Sequence, residues 1–230
     1  MTKRSFINNT NINESNSLVD LTQQLNPNFE DEVNLIDHSL YYNDEEFMHT
    51  VEHLNGALSM LNLNCGGLAA KFDKLKLFLA KCNNTSKPIN IITLQETHFS
   101  PSTDISYFEI PDYTLIQDLA RINTFGGVAI YVHSSLSYTR LPIDQYKQNS
   151  LVYESIFIET YLNHSKHNKY IFGTVYRRPN EIVDDLHTFI DEFTETIHNI
   201  HQISKKAYIN GDFNIDLLKL NTNNHYNTFL

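Results

Sequence analysis

Five polar residues, Asn64, Glu96, Tyr176, Asp212 and Asn214, each fall where an apolar, β-favouring run stops. Together they hold the groups that phosphodiester hydrolysis needs. A lone Glu at a strand end is a hard oxygen ligand of the kind Mg²⁺ accepts, because Mg²⁺ keeps several waters and asks for only one or two carboxylates. Asn64 can complete that ligation. Asp212 can orient and deprotonate an attacking water, Asn214 can donate to a phosphate oxygen as charge builds, and the Tyr176 hydroxyl can stabilise the departing oxygen. Arg177, with Arg178 beside it, would add positive charge near a phosphate. Taken singly, each has a plainer explanation. Asn or Asp after a strand is a common turn former or helix cap, a Tyr in an apolar strand is usually core, and two neighbouring arginines are usually a solvated pair. What points to a site is the convergence, since a rigid sheet fixes side chains that loops leave mobile.

The elements that must position these residues are legible in the hydrophobic pattern. LSMLNLN (58–64) reads as a strand, and Leu68, Phe72, Leu75, Phe78, Leu79 and Cys82 predict a helix over 68–82 with lysines on its other face. INIITLQET (89–97) is β-branched and apolar enough for a strand buried on both sides. Strand, helix and strand make a βαβ unit, for which parallel pairing is predicted. YTLIQ (113–117), GGVAIYVH (126–133), LVYESIFIETYL (151–162) and KYIFGTVY (169–176) read as further strands joined by hairpin-length connections. Pro179 and an Asn180 N-cap introduce a helix over 182–203. Its Ile182, Leu186, Phe189, Ile190, Phe193, Ile197, Ile200 and Ile203 trace one stripe, and Asp184 and Asp185 suit its first turn. AYIN (207–210) then runs as a strand into GDFN.

The formal charge of -10 is unevenly spread. Residues 1–56 hold ten acids and two bases, and the rest seventeen acids and fifteen bases. Attraction to nucleic acid would therefore have to come from a local patch, and composition neither supports nor excludes DNA or RNA. Residues 1–28 are rich in Asn, Ser and Thr and are expected to be disordered; 29–55 are expected to be weakly helical at most. The predicted organisation is an acidic segment over 1–56 and an α/β domain over 57–230. Cys65 and Cys82 are too few for a disulfide framework, so a reducing, intracellular setting is expected. No secretory leader or membrane-spanning run is evident.

LNLNCGGL…KFDKLKLFL, IITLQETH, FGGVAIYVH, GTVYRRPN and INGDFNIDLL, in this order and spacing, resemble the endonuclease/exonuclease/phosphatase superfamily. More narrowly, they resemble the apurinic-type endonuclease domain of non-LTR (LINE-like) retrotransposons, from about residue 57 onward. The resemblance implies a four-layer α/β sandwich, two mixed β-sheets face to face with helices outside. It implies a divalent-metal-dependent nuclease, using Mg²⁺ or alternatively Mn²⁺, that nicks DNA to start target-primed reverse transcription. A reverse transcriptase would follow in the full element, and a nuclear location is implied. It assigns the metal-site Asn to Asn64, the metal-binding Glu to Glu96, the catalytic Tyr to Tyr176, and the Asp and Asn of GDFN to Asp212 and Asn214.

Two departures accompany the resemblance. Gly66 stands where some members carry an acid two positions after the Asn, which throws metal affinity onto Glu96. The family's later Ser-Asp-His segment has no counterpart before Leu230. The expectation is a C-terminally truncated domain with an unpaired sheet edge and weak nicking, or else an inactive remnant that binds nucleic acid or protein without cutting. Inositol-lipid phosphatases, sphingomyelinases and deadenylases share the superfamily core, while GTVYRRP and NCGGL favour the retroelement branch. HTVEH (49–53) matches the H-x-x-E-H zinc pattern, but it is short and lies in the acidic segment. His164, His167, His198 and His201 read as surface residues. His98 would point with Glu96 only if the strand continued.

Overall fold

The computed structural model describes residues 46–47, 58–84, 88–120, 125–146, 148, 150–161, 169–179, 183–204 and 206–215. The chain divides into two units, Met1–Phe47 and Met48–Leu230. In the first, Glu46 and Phe47 are helical. The second carries β1 (Met60–Asn64), α1 (Phe72–Asn84), β2 (Ile91–Gln95), a 3₁₀ turn (Ile105–Phe108), β3 (Tyr113–Asp118), β4 (Val128–His133), β5 (Ser137–Arg140), β6 (Tyr153–Tyr161), β7 (Lys169–Arg177), α2 (Val183–Ile203) and β8 (Ala207–Asp212).

Two mixed four-stranded sheets result, ordered β1-β2-β4-β3 and β5-β6-β7-β8. β1 pairs with β2 in parallel, as the strand-helix-strand pattern predicts, and β7 pairs in parallel with β8 across the α2 crossover. The other pairings are antiparallel. Helices flank the sheets, so the expected sandwich is the observed fold.

Alternation along the strands decides what each face meets. On β6 and β7, Tyr153, Phe157, Ile171 and Val175 pack against Leu186, Phe189 and Ile200 of α2. The intervening Ile156, Ile158, Phe172 and Tyr176 turn the other way, onto Ile91, Val128, Ile130 and Val132 of the first sheet. That is why β6 and β7 are apolar almost without interruption: a helix covers one face and a sheet the other.

The prediction missed β5, whose SYTR carries one large apolar side chain at a sheet edge. α1 starts at Phe72 because Leu68 belongs to the turn that follows Gly66 and Gly67, both left-handed. Apart from Glu46 and Phe47, the acidic segment with its HTVEH lies outside the described residues, as do His164, His167, Asn180, Ile182 and everything after Ile215. His198 and His201 are exposed on α2, as expected.

Candidate active site

The same alternation carries Asn64, Tyr176 and Asp212 to one end of the space between the sheets. Asn62, Asn210 and Thr174 lie on the same faces as these three, one pleat earlier, and join a buried polar layer beneath them. In that layer Thr93 Oγ1 donates to Asn62 Oδ1 (3.0 Å) or Asn210 Oδ1 (2.9 Å), while Gln95 Nε2 donates to Asn62 Oδ1 (2.7 Å) and Thr174 Oγ1 (2.6 Å). Register then places Asn64 beside Gln95 and Tyr176 beside Asp212.

Glu96 arrives differently. Continued alternation would send it with Ile92 and Leu94, away from the second sheet. Instead the strand stops at Gln95 and Glu96 adopts φ 52°. A left-handed conformation costs a residue other than glycine about 1–2 kcal/mol, so the neighbouring structure must hold it. Its carboxylate meets Asn64, whose Nδ2 donates to Glu96 Oε1 at 3.0 Å and to Asp212 Oδ2 at 2.8 Å. One amide thus joins two carboxylates 32 and 148 residues away in sequence.

Asn64 was expected among the metal ligands, and the structure places it between the two carboxylates. Its Oδ1 accepts the Gly66 N–H at 3.1 Å and its nitrogen faces the carboxylates, so its amide ties the two acids to the loop after β1. Asp212 is held from both sides, since its Oδ1 also accepts the Asn214 N–H at 3.1 Å. Gly211 precedes it of necessity: a Cβ there would run into the Val175 carbonyl. Asn214 sits in a left-handed turn (φ 49°), and its Nδ2 donates to the Arg177 carbonyl at 2.6 Å. Of the two amide hydrogens expected at a phosphate, one is therefore engaged inside the loop.

Tyr176 is 4% exposed and lies close enough to the Glu96 and Asp212 carboxylates to feel their charge. Burial, followed by the charges of Glu96 and Asp212, pushes its pKa from the ordinary 10 up to about 12. It is a phenol at neutral pH and can donate a hydrogen bond. The folded value lies above the unfolded one, so the stability this adds is full below pH 10 and lost as pH rises through about 12. In a tyrosinate absorbance titration, subtracting the Tyr176→Phe curve from wild type should leave no step near pH 10.

Arg177 was expected at the substrate phosphate, and the structure corrects this. One residue from Tyr176, it has the opposite parity on β7 and faces α2. It is 3% exposed, with its guanidinium 5.7 Å from the Phe189 ring, and NH1 donates to the carbonyls of Asn214 (3.0 Å) and Phe213 (3.4 Å). It is a clamp on the GDFN loop. Arg177 and Arg178 are not a solvated pair. Arg177→Lys, which loses the planar fork, should lower stability by about 2 kcal/mol in urea unfolding while leaving substrate KM within about twofold.

Two further residues border the site, His98, which the sequence reading set aside, and Lys71, which it did not single out. His98 Nε2 lies 4.0 Å from Glu96 Oε2 because His98 is itself left-handed (φ 58°), although the strand has ended. Lys71 Nζ donates to the carbonyls of Cys65 and Gly66. A Cβ built on Gly66 would lie 3.2 Å from that Nζ and 3.8 Å from Glu96 Oε2, so the ammonium borders the acidic pair. No periodicity in the sequence marks Lys71. Cys65 is buried, which pushes its thiol up to about 11 and makes it a poor nucleophile.

The donor set fits a hard cation. Glu96 and Asp212 converge, and among the described residues no three His, Cys, Asp or Glu side chains gather to hold a metal by themselves. One or two carboxylates completed by water suit Mg²⁺ or Mn²⁺ better than Zn²⁺.

Solved structures repeat this architecture. The catalytic domain of Xenopus laevis APE2 matches with a TM-score of 0.53 and 15% identity, over 74% of this chain and 65% of that one. A 3′ phosphatase, NExo from Neisseria, bound to a product DNA hairpin, matches with a TM-score of 0.50 and 16% identity, over 75% and 69%. The endonuclease domain of TRAS1, a telomere-specific non-LTR retrotransposon, matches with a TM-score of 0.50 and 12% identity, over 75% and 68%. At such identities the likeness is one of fold, and this chain spans just under two thirds of the APE2 catalytic domain's length. No curated protein matches it significantly in sequence. The Endonuclease/Exonuclease/phosphatase family model matches residues 61–228, which takes in both sheets and every residue of the acidic cluster, and the chain belongs to that family.

Proposed function

We propose that this chain is a divalent-metal-dependent phosphodiesterase acting on DNA, of the kind that nicks target DNA for a non-LTR retrotransposon. The observation that carries the reading is the Asn64 amide holding Glu96 and Asp212 together at the strand ends. Glu96, with Asp212 beside it, would hold Mg²⁺ or Mn²⁺. Bound there, the cation would neutralise charge on the scissile phosphate.

The remaining roles belong to the chain itself. Asp212, fixed by Asn64 and by the Asn214 N–H, accepts a proton from a water as that water's oxygen attacks phosphorus. The P–O bond to the departing sugar oxygen breaks as the new one forms, and the leaving oxygen takes up a proton. Tyr176, kept neutral, donates a hydrogen bond as charge develops. Asn214 has an amide hydrogen to offer the phosphate. Lys71, and not Arg177, supplies the positive charge at the mouth. The GTVYRRP and NCGGL segments favour the retrotransposon branch.

Conversion of supercoiled plasmid to open circles tests this. Nicking should appear in Mg²⁺ and vanish in EDTA. Binding of the same DNA without any cleavage, in Mg²⁺ or Mn²⁺, would favour a non-catalytic binding module.

A further inference from the structure

Glu154 is a carboxylate on a face of β6 whose next inward residues are Ile156 and Ile158, and only 4% of it is exposed. Burying a charge in such a place is unfavourable unless it is paired and hydrogen-bonded, and an apolar residue would serve packing better. Its partners indicate what it does. Oε2 accepts the Gly127 N–H, and Oε1 lies 4.0 Å from Arg178 NH2. The same glycine pair presents its carbonyls to the turn bearing Glu96: Gly127 O accepts the Thr97 N–H at 3.1 Å and Gly126 O the His98 N–H at 2.8 Å. Gly126 is left-handed (φ 104°), and a Cβ there would come within 2.9 Å of Glu154 Oε2, so glycine and carboxylate are matched.

On its other side the 96–98 turn is tied to the loop after β1. Gly67 N donates to Glu96 O at 2.8 Å and Leu68 N to Thr97 O at 3.1 Å. Two left-handed residues, Glu96 and His98, are thus gripped between two loops, one of them anchored by Glu154.

Resting on the function proposed above, we infer that Glu154 is a positioning residue, which fixes the Glu96 carboxylate by anchoring the Gly126–Gly127 segment that holds the 96–98 turn. The charge never touches the reacting atoms. It acts on the turn through the Gly127 N–H, and an oxygen acceptor at that point is the chemical requirement.

Backbone amide exchange at Thr97 and His98 in the metal-free chain reads the turn whether or not a cation binds. Exchange should quicken at least roughly tenfold in Glu154→Ala and stay near wild type in Glu154→Gln, which keeps an acceptor oxygen. Mn²⁺ affinity, followed by the paramagnetic signal of free Mn²⁺, should fall about 10- to 100-fold in Glu154→Ala and by less than about threefold in Glu154→Gln. Unchanged exchange in Glu154→Ala, or a Gln variant as impaired as the Ala variant, overturns the inference. Should the Ala variant not fold, Glu154→Asp carries the test: faster exchange supports the inference and wild-type exchange overturns it. Failure of wild type to bind Mn²⁺ would instead count against the site's function, with the exchange data still deciding the role of Glu154.

Discussion

Asp212→Asn should lower the single-turnover rate of plasmid nicking by roughly 10³-fold while leaving Mn²⁺ affinity within about threefold, because a general base contributes about 10²–10⁴ in rate. The substitution is nearly isosteric. An amide oxygen can still accept the Asn214 N–H that Oδ1 accepts now, so the GDFN loop keeps its shape. What disappears is the basic oxygen at the Asn64 amide. The variant also has a second, independent readout. The Asp212 charge helps raise the Tyr176 pKa, so its loss should move that tyrosine's ionisation down from about 12 towards 10. A rate within tenfold of wild type would remove Asp212 from the mechanism.

Glu96→Gln should weaken Mn²⁺ binding by more than the roughly 10–100-fold typical of losing an outer partner of a metal ligand, and should abolish nicking at millimolar Mg²⁺. Glu96 is bound by Asn64 and its charge reaches Tyr176, so a neutral amide there removes negative charge from the whole cluster. Calorimetric titration of both proteins with Mn²⁺ checks this. Equal affinities would show that the cation, if one binds, sits elsewhere.

The two variants separate the roles of the carboxylates. Asp212→Asn loses rate at retained affinity, whereas Glu96→Gln loses affinity and, with it, rate.

The sheets were legible because their physics is local. Continuous apolar runs marked strands covered on both faces, and the stripe from Leu186 to Ile203 marked the helix that covers one of them. Strand parity was also present in the sequence: Tyr176 and Arg177 are consecutive in β7 and must face opposite ways, so Arg177 was never free to reach a phosphate beside Tyr176. Reading the pair as one charged end ignored that constraint. Other features lay beyond any periodic pattern. The left-handed backbone at Glu96 and His98 depends on Gly126 and Gly127, about thirty residues on, and on the Gly66–Leu68 loop before it. Asn64 faces two carboxylates through its nitrogen only because folding brings Asp212 to it. Lys71 reaches the cluster from a turn with no helical or strand spacing. Motif order locates such residues, but contacts between distant segments assign their roles.

The central claim is that Asn64 draws Glu96 and Asp212 into one cluster at the strand ends, in which Glu96 is the carboxylate that holds the cation. An anomalous difference map from crystals soaked in Mn²⁺ tests it most directly. The account predicts a single strong peak at coordinating distance from the Glu96 carboxylate, on the side shared with Asp212 and Tyr176, and its loss in Glu96→Gln. A peak that bypasses Glu96, or an empty cluster at saturating Mn²⁺, would contradict it.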